Sequence, residues 1–153
     1  MPEQNVYIYG SNPDLSFITV FAGDWVVIKP NLVKEAKETD PNEWKSVVTS
    51  PFLIRQVCEH VCGQLEGKGR VTICDAPQTD SSFSRIAELL GLYHIARECS
   101  QKFGVVVDVL DLRNEEWTNH GGVITERKRL KGDPEGTIAF DLERRSLFYG
   151  FKG

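Results

Sequence analysis

Three residues with useful chemistry stand where two short apolar runs stop. Trp25-Val-Val-Ile28 is followed by Lys29, Pro30 and Asn31, and Arg70-Val-Thr-Ile-Cys74 is followed by Asp75. Apolar runs of this length read as buried strands, and open α/β sheets bind ligands at the carboxyl ends of their strands. An ammonium, an amide and a carboxylate gathered there can hold a polar small molecule. The loop after Asp75 continues through Thr79, Asp80, Ser81 and Ser82 into a helical pattern. The free N–H groups at such an entry favour an anion. Arg85, one turn further on, adds a forked donor suited to phosphate or carboxylate. Asp75 and Asp80 oppose an anion on charge, and read on their own they suit a hydroxylated or cationic group or a divalent metal. The ligand-binding candidates are therefore Lys29, Asn31, Asp75, Thr79, Ser81, Ser82 and Arg85, with an anionic small molecule as the expected partner. The pattern assigns no catalytic residue and no cofactor.

Other arrangements carry less. Gly63-Gln-Leu-Glu-Gly-Lys-Gly69 echoes a phosphate-binding loop, but its spacing is one short and no Ser or Thr follows Lys68. Cys58 and Cys62 share the apolar stripe of a helix, with His60 pointing away, so they read as core thiols and no metal is expected. His94 and His120 have no carboxylate or serine partner that the sequence places beside them.

The elements that must position these residues follow from periodicity and punctuation. Val6–Tyr9 and Ser16–Phe21 read as a strand–turn–strand entry, and residues 34–45, charged and holding Pro41, as a loop. Ser50 and Pro51 open a helix whose stripe is Ile54, Val57, Cys58, Val61, Cys62 and Leu65. After the strand ending at Cys74, Asp80 caps a helix carrying Phe83, Ile86, Ala87 and Leu90. A further helix carries Leu92, Ile95, Ala96, Cys99 and Phe103. A third strand spans Val105–Leu110. His120–Glu126 and Gly136–Leu142 read as two late strands joined by the turn from Lys128 to Pro134.

The β-α-β-α-β order predicts an α/β fold: a mostly parallel sheet with right-handed crossovers, plus antiparallel strands near both ends. Crossovers running one way along the sheet put the helices on one face, whereas parallel sheets are normally covered on both. The cover for the other face then comes from late strands folding back or a reversal of strand order, or else from a partner chain or a missing carboxyl-terminal half.

The 153 residues fit a single domain, and 41% hydrophobic with 26% charged content is ordinary for a globular chain. A net charge of −4 argues against a nucleic-acid partner. No apolar run approaches the roughly 20 residues that cross a bilayer. No secretory leader is visible, so a cytoplasmic location with four reduced cysteines is expected.

Trp25-Val-Val-Ile-Lys-Pro-Asn-Leu-Val33, Thr49-Ser-Pro-Phe-Leu-Ile-Arg-Gln-Val57 and Val71-Thr-Ile-Cys-Asp-Ala-Pro77, in that order, resemble the domain of unknown function 362 family. The resemblance implies an α/β domain and supplies no activity. Some members carry ferredoxin-type cysteine clusters; this chain has none, so no iron–sulfur cluster is expected. Members usually continue well past this length, which implies that residues 1–153 are one α/β domain forming the amino-terminal portion of a larger protein. Two functions fit: an enzyme of unassigned class using Lys29, Asn31 and Asp75, or a non-catalytic binding or accessory module in a redox or surface-polysaccharide pathway.

Overall fold

A computed structural model describes residues 14–16, 18–35, 44–138 and 140–151, with backbone alone at 44 and 45. Its centre is a three-stranded parallel sheet in the order β1-β2-β3, formed by Trp25–Ile28, Arg70–Asp75 and Val106–Asp111. Between β1 and β2 run α1 (Trp44–Val47) and α2 (Pro51–Gln64); between β2 and β3 run α3 (Phe83–Leu89) and α4 (Leu92–Phe103). The predicted α/β class and parallel crossovers hold.

The strand register sorts side chains by face, because successive residues of a strand point to opposite sides. Val26 and Ile28 of β1, Val71 and Ile73 of β2, and Val107 and Val109 of β3 join the core built by Ile54, Val61, Ile86, Leu92 and Ile95 of the helices. Each fully buried Leu or Ile contributes about 1.5–3 kcal/mol, so this face anchors the sheet to its helices. The opposite face carries Trp25 and Val27, Arg70 and Thr72, and Val106 and Asp108. It is thinly covered: Trp25, Val27 and Val106 are 48%, 59% and 57% exposed. It is also mixed rather than apolar, since Arg70 pairs with Asp108 at 2.6 Å and lies over the Trp25 ring. The Trp25 indole N–H donates to Thr72 Oγ1 at 2.8 Å.

Gly69 lets β1 and β2 start together. It sits at φ +95°, and a Cβ there would collide with the Asp24 carbonyl, the group that accepts the Arg70 N–H at 3.0 Å.

The antiparallel part differs from expectation. The hairpin is β4 (Glu115–His120) with β5 (Val123–Arg129), turning at Gly121-Gly122. Both glycines have positive φ, 60° and 84°, as tight hairpin turns of the primed types need. The strand expected over 120–126 runs through this Gly-Gly turn, which instead joins the ends of β4 and β5, and in the second expected strand, 136–142, residues 136–138 and 140–142 form no strand. Residues 16 and 18–21 are likewise not a strand, and Val6–Tyr9 lies outside the described residues. Within the expected loop 34–45, Trp44 already begins a helix. The carboxyl-terminal Phe148, Tyr149 and Phe151 are exposed. Among the described residues, no helix is long and apolar enough to cross a membrane.

Candidate functional site

Parallel pairing of β1 with β2 brings the ends of both strands to one edge, so Lys29 and Asp75 become neighbours. Lys29 Nζ lies 2.8 Å from Asp75 Oδ1; the lysine side chain is 65% exposed and the aspartate side chain 6%. The second carboxylate oxygen, Oδ2, accepts the Leu32 N–H at 2.6 Å. A charge this deeply placed is tolerable only when paired and hydrogen-bonded, and Asp75 is both. Among the described residues, the lysine head is thus tethered to Asp75 at the sheet edge, with most of its side chain exposed.

The chain beyond Lys29 is pinned from two sides. Asn31 donates its N–H to Thr49 Oγ1 and accepts the Thr49 N–H, both at 2.8 Å, while its own side chain is exposed. Leu32 is fully buried and forms an isolated antiparallel bridge with Val48. Val33 accepts the Gln78 N–H at 2.9 Å, tying this segment to the loop after β2.

That loop is organised by a residue the sequence reading passed over. Arg113 is buried, two residues past β3, and its guanidinium reaches four groups at once. It grips the Asp111 carboxylate through Nε at 2.9 Å and Nη2 at 2.7 Å. Nη2 also donates to Glu116 at 2.8 Å, and Nη1 to the carbonyls of Gln78 and Ser81 at 2.9 and 2.6 Å. Burial works against its charge, yet the paired Asp111 and Glu116 carboxylates carry its pKa above the ordinary arginine value. Trp117 N–H adds a bond to the Thr79 carbonyl at 2.7 Å. The legible signal was present: Asp111-Leu-Arg113 follows the third apolar run as Lys29 and Asp75 follow the first two.

The remaining candidates divide. Thr79 is half-buried in the pinned loop. Ser81 is buried, its hydroxyl accepting the Glu35 N–H at 3.4 Å, so it braces the loop from inside. Ser82, not Asp80, is the N-cap of α3, and its hydroxyl meets that of Ser84 at 3.0 Å. Arg85 faces solvent beside Glu35 at 3.6 Å. The sheet edge thus joins Lys29, Asn31 and Asp75, backed by the loop holding Thr79 and Ser81, while Ser82 and Arg85 stand on the helix beyond. His94, expected to lack a partner, lies 3.2 Å from Glu98 on the surface of α4. A cavity of about 350 Å³ lies away from the strand ends, lined by Pro51, Phe52, Arg55, Leu89 and His94 among others.

The sequence pattern of the family described as Domain of unknown function (DUF362) matches residues 26–131, more than half of the chain. The chain belongs to the DUF362 family. The matched span runs from β1 to just past β5 and so contains Lys29, Asp75, the loop and Arg113. No curated protein and no solved structure is similar enough to match this DUF362 chain.

Proposed function

We propose that the strand-end site of this DUF362 protein binds a small polar molecule through an anionic group, with Lys29 as its principal contact. The observation that carries this reading is the tethered lysine: an ammonium held 2.8 Å from a buried carboxylate while its side chain stays 65% exposed. Among the described residues one N–H is committed to Asp75, and an ammonium has three donors in all, so the head can also reach a ligand oxygen. Asn31, with its exposed amide beside Lys29, supplies a neutral donor and acceptor, and Thr79 and Arg85 lie on the flanking loop and helix. Asp75 sets the direction of the lysine without facing the ligand itself. A cytoplasmic setting, where thiols stay reduced, suits the four free cysteines.

The same site serves an enzyme that positions an anionic substrate and an accessory module that only holds one; recovery of an altered molecule distinguishes the first from the second. The binding reading is tested by following backbone amide resonances during titration with inorganic phosphate. Saturable shifts centred on residues 29–33 and 75–82 are expected. Shifts confined to the basic strand Arg127-Lys128-Arg129, or none at all, would overturn it.

A further inference from the structure

Three of the four cysteines converge at one point in the core. Cys58 and Cys62 lie one turn apart on α2, and Cys99 comes from α4, which packs along α2. Their sulfurs all lie within 4.8 Å of one another, with Cys58 and Cys62 at 4.0 Å. All three residues are at most 1% exposed. The expectation that these thiols are bare rested on α2 alone, where the pair reads as part of an apolar stripe; the third sulfur is visible only once α4 is in place.

We propose that Cys58, Cys62 and Cys99 form a three-coordinate thiolate site for Cu(I). A metal equidistant from three sulfurs at about 2.3 Å, the usual metal–thiolate length, sets them about 4.0 Å apart in a plane. The Cys58–Cys62 pair already has that spacing, and with all three sulfurs within 4.8 Å the others need only small side-chain shifts. Soft thiolates select soft ions such as Cu(I) and Zn(II). Structural zinc closes its shell with four protein ligands, and among the described residues no fourth His, Cys, Asp or Glu joins this group. With Cys58, Cys62 and Cys99 at most 1% exposed, the sulfurs are also shielded from bulk water. Cu(I) is content with three.

Each sulfur–copper bond replaces an S–H bond whose proton leaves to solvent, and copper enters and stays as Cu(I), so no oxidant or reductant is consumed. Copper there would clamp α2 to α4.

The test uses the reduced full chain under anaerobic conditions, titrated with Cu(I) against a chromophoric copper chelator. One equivalent is expected to transfer to the protein, with a thiolate-to-copper charge-transfer band in the ultraviolet. Cys99→Ala should lose that equivalent and Cys74→Ala should keep it. Because a core variant can fail to fold, copper-loaded wild type is also alkylated in mild denaturant: Cys58, Cys62 and Cys99 should be shielded and Cys74 modified. Failure of copper to transfer, retention of the full equivalent by folded Cys99→Ala, shielding that falls on Cys74, or uptake of Zn(II) with refusal of Cu(I) would each overturn the proposal.

Discussion

Replacing Arg113 with alanine should loosen the loop between β2 and α3 more than any surface substitution could. The side chain is only 4% exposed and holds two carboxylates and two backbone carbonyls. Removing one partner of a buried ion pair costs about 3–5 kcal/mol when the other stays dry. Here Asp111 and Glu116 side chains are 20% and 27% exposed, so water partly re-solvates them. The Gln78 carbonyl also keeps the Ser81 N–H at 3.0 Å. A cost near the lower bound, about 3 kcal/mol, follows. For a chain of this size that lowers the melting temperature by roughly 10 °C. Arg113→Lys should recover only part of the loss, because a point-like ammonium cannot fork across four acceptors. Urea unfolding gives the energy, and amide exchange gives its location: Gln78 and Trp117 amides should lose more protection than Val71 and Ile73. A change within about 0.5 kcal/mol, the range of ordinary surface sites, would refute the reasoning. Equal loss of protection in loop and core would refute its local part.

Gly69→Ala should destabilise by more than about 1–3 kcal/mol in the same unfolding assay, because it adds a Cβ clash with the Asp24 carbonyl to a left-handed backbone; a neutral result would contradict the close approach at the start of β1 and β2. Burial first, then the Asp75 and Asp133 charges, raise the Cys74 thiol above its ordinary value, and burial raises Cys99. The folded state then holds protons that the unfolded chain releases, so stability should be intact below the unfolded thiol value of about 8.5 and fall as pH rises beyond it. In Cys74→Ala that decline should be shallower, and an unchanged slope would count against the cause given.

The three parallel strands and the helices after Ser50 are legible because each carries a clean apolar period with Pro or Gly at its ends. Lys29 and Asp75 are legible for the same reason: a polar residue directly after a buried run has few places to go. Arg113 hid because burying a guanidinium depends on Asp111, Glu116 and two loop carbonyls that come together only in the fold. The Cys99 sulfur joined Cys58 and Cys62 through helix packing that no single periodic stripe reports. The hairpin was misplaced because the charged Glu115-Glu-Trp-Thr-Asn-His strand lacks an apolar run, leaving Gly121-Gly122 as its only marker. The anion expected at the entry to α3 has less backing than Lys29, since Ser81 is turned inward and Ser82 bonds Ser84.

The anion site at the sheet edge is tested most directly by calorimetric titration of inorganic phosphate into wild type, Lys29→Met and Lys29→Arg. A hydrogen bond to a charged group contributes about 1.5–3 kcal/mol, so loss of the ammonium should weaken binding roughly tenfold to a hundredfold. Lys29→Arg should keep part of the affinity, and added salt should weaken wild type more than Lys29→Met. Equal phosphate affinity in wild type and a folded Lys29→Met protein would contradict the assignment of this site.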